Sequence, residues 1–586
     1  MLKLIDIITN NYFLKQKLKV TIPKTPVRRL TDNWQGSTKS GKRILSNPVN
    51  TKTIQDFNKF NFIRDLKSEG SIKARSTARS LVENWINEDY NLRSHEYNSV
   101  IMAERISCWS FNYFWFAESG GLDFQKKILN SIALQSKFLE LKLDLSNDNL
   151  EKIIIIKGIL VSKSILYETI DNINQLLTII NEKLEILTNT DGGHISRSPV
   201  KQLNLLRHLI EIRSIIAILK NVDADGLHQK TIKMGEFCRS FQMPDEYFSW
   251  FHGGSLIPKE IIKQTLNRIG YKNRIFSLAE ETGFCRLSNM NSVLFVDIGL
   301  NKKTIHNKKA SLFGFEFFYK KEKIISNLGE INNSKYKNMK NSLSSTAAHS
   351  SLNIDDRNNI DLSGRRITRI SNIQFGKTKD GNLLDVTHSG YETIFGVYHK
   401  RQIYLSNKKN EIRGRDEILN IGKRKWRIIM GYGHSPEHAC LVSETDGLFI
   451  SGDIVLPRIT PNIGVYPDQP DANPLNDYYY TLKKFLDLPA DLKVLPSHNE
   501  PFTGLHTRIA ELINHHDSRL TIVRKCCLKP ATAWEIAKEL FNRRPLTSHN
   551  TVFAMPETLA HINELISRGE ITKSTNRNGI DIYEKN

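Results

Sequence analysis

The spacing of apolar residues changes once along this chain, and that change constrains the fold more than any other feature. From Thr53 to about residue 240, apolar side chains recur every three or four residues, which is the spacing of amphipathic α-helices. After residue 275, short apolar runs lie between polar clusters, as in an antiparallel β-sandwich. The sequence therefore predicts a helical region followed by a region of short strands.

The length of the chain predicts several domains, because 586 residues exceed what one hydrophobic core organises. The longest apolar run, Ile153–Val161, contains Lys157 and falls short of the ~20 residues that span a bilayer. No secretory signal is readable, because Asp6 interrupts the apolar start, and this favours a cytoplasmic location. The 6 cysteines show no C-x-x-C spacing, so we expect buried thiols.

Positive charge is concentrated in two stretches of a chain whose net charge is +21. Residues 1–80 contain 17 Lys and Arg against 5 Asp and Glu, and residues 302–340 contain 10 Lys against 3 Glu. Such surfaces attract polyanions, including nucleic acid, acidic lipid and acidic polysaccharide. For residues 1–52, a poorly ordered, solvated segment is the favoured interpretation.

A polar loop follows the helix that is predicted to end at Leu187. The paired glycines Gly192 and Gly193 stop that helix and would let the backbone approach a ligand closely. Ser198 and Pro199 are typical of the start of the next helix, as N-cap and first helical residue. The loop is either a binding site or a well-capped connection between two helices.

Three motifs resemble one enzyme family, the heparinase II/III-like polysaccharide lyases. They are Thr190–Pro199 (TDGGHISRSP), Ser344–Arg357 (SSTAAHSSLNIDDR) and Gly390–Ser406 (GYETIFGVYHKRQIYLS). The resemblance covers about residues 55–418 and implies an α/α toroid over 53–275, followed by a truncated β-sandwich over 276–420. It further implies β-elimination beside a uronic acid in an acidic polysaccharide, a reaction that requires no cofactor.

The resemblance also implies roles for individual residues. His194 and Arg197 match groups that neutralise the substrate carboxylate, and His349 matches a histidine that faces the cleft. Tyr247 lies where a catalytic tyrosine is expected, although packing beside Phe248 and Trp250 is the favoured interpretation of this residue. The positions implied for catalysis are His194, Arg197, Tyr247 and His349, and those implied for substrate binding are Asp191, His399 and Arg401. His399 matches a histidine that helps to hold a structural zinc in some relatives, but the residues after His349 do not supply the other ligands.

A second set of motifs resembles the metallo-β-lactamase-fold hydrolases, of which residues 425–515 would form the C-terminal half of the αβ/βα fold. The motifs are Gly433–His438, Ser451–Asp453 and Pro496–Asn499, and each follows an apolar run that predicts a strand. The resemblance implies His434, Asp453 and His498 as zinc ligands and His438 as a substrate contact. Because no His-x-His occurs among the 17 histidines, the first ligand set of that fold is missing.

Residues 517–586 resemble the winged helix that often ends such hydrolases. Two helical patterns precede a predicted hairpin that turns at Asn578-Gly579. The charge of this segment is mixed, which disfavours nucleic-acid binding and favours packing or dimerisation.

Three functions remain open from the sequence. A lyase that acts on a uronate-containing polysaccharide is the best supported, and it implies the cell envelope or periplasm rather than the cytoplasm. The alternatives are a zinc hydrolase and an inactive fusion whose seam lies between Asn410 and Gly433. The sequence does not distinguish among oligomeric states.

Overall fold

The computed structural model divides the chain into two compact units. The first contains residues 1–384 and 404–412, and the second contains residues 385–403 and 413–586. The residues that the structure describes are 20–47, 57–87, 98–219, 222–269, 275–299, 309–329, 339–363, 368–409, 411–421, 424–542 and 546–586.

The first unit begins with a helical region, as the apolar spacing predicts. Its helices pack around aromatic side chains, among which Trp109 lies edge-on to Phe60 and Trp85 at centroid distances of 5.1 and 5.6 Å. None of the described helices is long and apolar enough to cross a membrane. The helices are α1 (Thr38–Ser46), α2 (Phe62–Glu69), α3 (Ile72–Asn87), α4 (Ser99–Phe116), α5 (Leu122–Leu145), α6 (Asn149–Leu166), α7 (Ile173–Leu187), α8 (Pro199–Ile216), α9 (Asp225–Ser240) and α10 (Lys259–Asn267).

The basic segment before these helices is more ordered than the sequence predicts. Residues 20–47 include α1 and bury Leu30, Trp34 and Ile44 in the helical core. The indole Nε1 of Trp34 donates a hydrogen bond of 2.5 Å to Glu211 on α8. The remainder of the segment, residues 1–19 and 48–52, lies outside the described residues, as do residues 302–308 and 330–338 of the basic stretch 302–340.

Buried charges join helices α4, α6 and α8. The ammonium of Lys157 on α6 is fully buried and lies 2.6 Å from Glu104 on α4 and 2.9 Å from Glu211 on α8. A buried ion requires such partners, because the loss of one leaves an uncompensated charge in the core. This ion pair network therefore fixes the relative positions of three helices.

The first unit continues into strands, which confirms the predicted change from helix to sheet. Strands β1 to β5 form an antiparallel sheet in sequential order. Phe284 and Phe295 belong to the same buried cluster as the helices, so sheet and helices share one core. The strands are β1 (Leu278–Ala279), β2 (Phe284–Ser288), β3 (Ser292–Asp297), β4 (Phe315–Tyr319) and β5 (Glu322–Ile325), with β6 (Ile370–Lys377) and a short helix, α11 (Met339–Ser342), further on.

The second unit contains a mixed sheet. The strands of this sheet follow the order β13-β12-β11-β10-β9-β8-β7. Of β7 and β8, only residues 385–388 and 398–403 belong to the second unit. Strands β9 to β12 pair antiparallel, and β12 pairs parallel with β13. The strands are β7 (Gly381–His388), β8 (Tyr398–Ser406), β9 (Ile412–Ile421), β10 (Arg424–Gly431), β11 (His438–Ser443), β12 (Leu448–Gly452) and β13 (Lys493–Pro496).

The end of the second unit is built from helices and a small sheet. The predicted hairpin is present, with β15 and β16 paired around a turn at Gly579, and β14 adds a third strand to β16. The last helix begins at Ser548, earlier than the sequence pattern predicts. All six cysteines of the chain are free thiols, and all but Cys526 are buried. The remaining elements are α12 (Glu392–Phe395), α13 (Pro474–Phe485), α14 (Leu505–Cys526), α15 (Ala533–Leu540), α16 (Ser548–Ser567), β14 (Ala531–Thr532), β15 (Ile571–Thr575) and β16 (Asp581–Lys585).

The buried ion pairs generate a stability prediction. Lys157→Met should lower the free energy of unfolding by about 3–5 kcal/mol, because two buried carboxylates lose their counter-charge. The matched control is Lys127→Met, since Lys127 forms an ion pair of 2.8 Å with Glu83 on the surface. That change should cost less than about 1 kcal/mol. Urea unfolding followed by circular dichroism measures both, and equal small losses would contradict the assigned role of Lys157.

Candidate functional site

A buried carboxylate at the end of β3 organises the polar groups of the first unit. Asp297 is fully buried and pairs with the guanidinium of Arg197. Its second oxygen lies 2.8 Å from His252 Nε2 and accepts a 2.6 Å hydrogen bond from the Ser311 hydroxyl. Burial alone would raise the pKa of Asp297, but Arg197 and His252 together hold it well below its ordinary value. Asp297 is therefore an anion that joins the loop after α7 to the sheet.

Arg197 takes part in this structural link through its guanidinium group. It adopts a left-handed backbone conformation with φ of 59° and is 1% exposed. Its guanidinium donates hydrogen bonds to the carbonyl oxygens of Thr282 (2.7 Å) and Gly283 (2.6 Å), and it lies 4.6 Å above the ring of Phe284. The sequence assigns Arg197 to neutralising a substrate carboxylate, and that role stays a prediction.

The glycines of the loop are required by contacts within the protein. A Cβ atom on Gly193 would lie 2.1 Å from Thr282 Oγ1, and one on Gly192 would lie 2.7 Å from the Lys233 carbonyl oxygen. Asp191 binds the same threonine, accepting hydrogen bonds from the Thr282 amide (2.8 Å) and hydroxyl (2.6 Å). The close approach to the glycine backbone that was predicted for a ligand is thus made by Thr282 and Lys233 of the protein itself.

The next helix starts where the sequence predicts, with Pro199 as its first residue, but the Ser198 side chain makes no capping hydrogen bond. The Ser198 carbonyl instead accepts the first helical bond from the Gln202 amide at 2.9 Å. The helix start therefore depends on proline and backbone geometry.

His194 leaves one ring nitrogen open. Its Nδ1 accepts a hydrogen bond of 3.0 Å from the Ser196 amide, which places the proton of the neutral ring on Nε2. Nε2 is buried and has no hydrogen-bond partner among the described residues. Burial, followed by the charge of Lys201, lowers the pKa of His194 to about 4. His194 is therefore a neutral ring whose N–H can donate to a ligand oxygen.

In His349, the ring nitrogen without a partner among the described residues is a proton acceptor, whereas in His194 it is a donor. Its Nδ1 lies 2.9 Å from Asn327 Oδ1, a carbonyl oxygen that only accepts, so the ring proton is on Nδ1. Nε2 then carries a lone pair, and it has no partner among the described residues. Burial and the nearby Lys309 and His252 lower the pKa of His349 to about 4. The half-buried ring is a neutral proton acceptor at physiological pH.

Glu316 supports the residue that orients His349. Its Oε1 accepts hydrogen bonds from the backbone amides of Trp250 (2.9 Å) and Asn327 (3.3 Å). Burial raises the pKa of Glu316 to about 7, and its Oε2 has no partner in the described part of the chain. The carboxyl group thereby fixes the backbone of Asn327, whose side chain sets the tautomer of His349.

Tyr247 lies in a tight turn between Gln242 and Phe248, which form an isolated β-bridge. The ring is half-buried, with the Lys259 ammonium 4.7 Å from its centroid. No hydrogen bond of its hydroxyl occurs among the described residues. Both the catalytic and the packing interpretations of Tyr247 stay open.

Two further predicted residues, His399 and Arg401, belong to a closed network in the second unit. His399 Nδ1 lies 3.1 Å from His388 Nε2, and His399 Nε2 lies 2.7 Å from Asp416. Arg401 binds both oxygens of Asp416, at 2.7 and 2.8 Å. Since both nitrogens of His399 and the charge of Arg401 already have partners, this network is stabilising without a ligand. Their predicted role in substrate binding is untested.

The predicted zinc ligands come together in the second unit. Asp453 lies 3.7 Å from His434 Nε2 and 3.3 Å from His498 Nε2. The Nδ1 of His434 donates to the Asn462 carbonyl at 2.9 Å, which leaves Nε2 as the free ligand atom. His438 contacts Gly452, where a Cβ would lie 2.0 Å from its Nε2. Asp453 Oδ1 is buried and makes no hydrogen bond of acceptable geometry among the described residues. Both histidines lie beside Asp453, but the ligand atoms of the three residues do not all lie within 4.8 Å of one another, so as placed they do not converge on one zinc ion.

Sequence reasoning missed the residues that hold the first site together. The sequence analysis predicted no role for Asp297, His252, Glu316 and Asn327. The available signals were a histidine in the stretch FSWFHGG and a single aspartate that ends an apolar strand. Neither signal identifies the partner, because the residues paired in space are far apart in the chain.

Two family models match the chain. Residues 272–440 match the family described as heparinase II/III-like, C-terminal, and residues 520–586 match the metallo-beta-lactamase-like, C-terminal domain. The chain thus joins a heparinase II/III-like region to a metallo-β-lactamase-like C-terminal domain, which confirms both resemblances. The first match extends to residue 440, beyond the predicted limit of 418.

Several known proteins are similar to parts of this chain. The fold is similar to a heparinase III, the BT4657 gene product, with a TM-score of 0.51 and 13% identity over 75% of this chain and 78% of that one. A β-lactamase domain protein from Burkholderia ambifaria is 47% identical over 29% of this chain and 50% of that one, with a TM-score of 0.28. The hydroxyacylglutathione hydrolase of Francisella tularensis is 27% identical over 20% of this chain and 48% of its own length. The chain spans about half the length of the curated relatives it matches.

The contact between Gly193 and Thr282 generates a second stability prediction. Gly193→Ala should lower the free energy of unfolding by about 1–3 kcal/mol, because its Cβ overlaps the Thr282 side chain. Gly226→Ala is the matched control, since nothing lies within 4 Å of a Cβ at this position in α9. That change should be neutral or stabilise by up to about 1 kcal/mol. Thermal unfolding of both variants checks the difference, and equal midpoints would contradict the close packing of the loop.

Proposed function

We propose that the first unit is a lyase that cleaves a uronate-containing acidic polysaccharide by β-elimination. The heparinase II/III-like match and the heparinase-like fold support this class of reaction. The observation that carries the proposal is the state of His349, a half-buried, neutral histidine whose Nε2 lone pair has no partner in the described residues.

His349 is the base of the proposed reaction. Its Nε2 removes the proton from C5 of the uronate, and the electrons of that C–H bond form the C4–C5 double bond. The bond from C4 to the glycosidic oxygen breaks, and the leaving oxygen takes a proton from an acid. Tyr247, with a hydroxyl free of partners among the described residues, is the proposed acid.

The substrate carboxylate must be stabilised for the C5 proton to become acidic. The free Nε2–H of His194 can donate to that carboxylate, and the buried positive charge of Lys309 acts in the same sense. Because Lys309 lowers the pKa of His349, a bound carboxylate would offset this effect and make His349 a stronger base. Arg197 is assigned a positioning role, since Asp297 already balances its charge.

The test is the ultraviolet absorbance of the new C4–C5 double bond during incubation with a panel of uronate polysaccharides. We expect the full-length chain to produce this absorbance with one of them. His349→Ala should lower kcat by about 10²–10⁴-fold, because the proton acceptor is lost. His228→Ala, at a half-buried histidine of α9, is the matched control and should keep the activity. The absence of absorbance with folded protein, or equal activity in both variants, would refute the proposal.

A second candidate function is supported in the other unit. His434, Asp453 and His498 are the candidate ligands of a zinc ion, which when bound would supply an activated water for hydrolysis. The contacts of Asp453 with His434 (3.7 Å) and His498 (3.3 Å) favour this candidate, and the two histidines would have to move closer together to share one ion. Hydrolysis of an acylglutathione thioester that is lost in Asp453→Asn would support it, and hydrolysis unchanged by that substitution would exclude it.

A further inference from the structure

Helices α14 and α16 of the second unit bring three metal-binding side chains together away from the predicted zinc ligands. His516 lies on α14, while Glu557 and His561 lie one turn apart on the facing side of α16. The three residues offer ligand atoms that all lie within 4.8 Å of one another. His516 and His561 are 0% exposed and Glu557 is 8% exposed. The cluster is therefore a convergent set of two imidazoles and one carboxylate inside the protein.

The spacing of the two imidazoles suits a single ion. His516 Nδ1 and His561 Nε2 are 3.1 Å apart. Two nitrogens bound to one tetrahedral zinc at about 2.0–2.1 Å each lie roughly 3.3 Å apart. Without an ion this contact is a hydrogen bond from the His516 Nδ1–H to the His561 Nε2 lone pair. An ion that enters between the rings would replace that hydrogen bond and the Nδ1 proton, with a shift of a few tenths of an ångström.

The tautomer of His561 is fixed in the form that a metal requires. Its Nδ1 donates a hydrogen bond of 2.7 Å to the Glu557 carbonyl oxygen, so the lone pair is on Nε2, which faces His516. Metal-binding histidines ordinarily use their other nitrogen in this way, which orients the ring.

The hydrogen bonds of the protein leave the cluster incomplete. His516 Nε2 is buried without a partner among the described residues, a state that is uncommon for polar atoms in folded proteins. Glu557 accepts a 2.8 Å hydrogen bond from Arg519 through Oε1, and its other oxygen remains for a further ligand.

An opening leads towards the cluster. A groove of about 640 Å³ is lined by His515, Arg519, Phe541 and Phe553, and Arg519 is the residue that binds Glu557. The groove therefore lies next to the cluster, separated from it by the Arg519 side chain.

We propose that His516, Glu557 and His561 bind one zinc ion, or a divalent ion of similar preference, which fastens α14 to α16. Two imidazoles and a carboxylate are donors that zinc favours, and they leave one position for water. The site is separate in sequence from His434, Asp453 and His498, and it does not depend on the proposed lyase function.

The experiment uses full-length protein in which His434→Ala, Asp453→Asn and His498→Ala remove the other candidate zinc ligands. After chelation and desalting, Co²⁺ is added and the visible absorbance of tetrahedral Co²⁺ is followed. We expect one Co²⁺ per chain, and at least about 100-fold weaker binding after His516→Gln or His561→Gln. His515→Gln, at the neighbouring position of α14, is the matched control and should bind Co²⁺ with the same affinity as the background protein.

A second measurement guards against variants that fail to fold. Zn²⁺ should raise the thermal unfolding midpoint of the background protein, because an ion that binds only the folded state stabilises it. Glu557→Gln preserves shape while removing the charge, and it should abolish most of that rise. Folded background protein that binds no Co²⁺, or binding that is equal in the His516, His561 and His515 variants, would overturn the proposal.

Discussion

The buried carboxylate of Asp297 is the interaction on which the site of the first unit depends. It balances the charge of Arg197, orients His252 and accepts from Ser311, all inside a core from which water is excluded. An ion in such surroundings is stable only while its partners stay in place. The polar loop after α7, which carries His194, the turn after the helices and the first sheet are therefore held in one arrangement.

Histidine networks of the two units show how the same side chain serves different purposes. In the second unit, His388 is hydrogen-bonded to His399, His399 is hydrogen-bonded to Asp416, and Arg401 also binds Asp416. In the first unit, His194 and His349 each use one nitrogen and leave the other open, one as donor and one as acceptor. Closed networks stabilise a fold, whereas buried nitrogens left open are costly unless a ligand uses them. This difference separates scaffold from candidate site.

The sequence predicted the order of helix and sheet and several elements, including α7 and the C-terminal hairpin, because local periodicity and turn residues determine them. It also predicted the loop that carries His194. It could not predict that Arg197 pairs with Asp297, or that Gly193 packs on Thr282, because these contacts join residues 89 to 100 positions apart in the chain. Trp34 illustrates the same limit, since its hydrogen bond to Glu211 orders a segment whose composition favours disorder. Likewise, the i, i+4 spacing of Glu557 and His561 was visible, but the facing His516 was not.

The central claim is that His349 is held as a neutral base whose buried Nε2, without a partner among the described residues, is available to the proposed uronate substrate. Ring-nitrogen NMR of chain labelled with ¹⁵N-histidine measures this directly, with the signal assigned by its loss in His349→Asn. We expect a neutral ring protonated on Nδ1 at pH 7, because Nδ1 lies 2.9 Å from the Asn327 side-chain oxygen, and a pKa near 4 that rises when a uronate oligosaccharide is added. A ring protonated on Nε2, or a pKa that the oligosaccharide leaves unchanged, would contradict the claim.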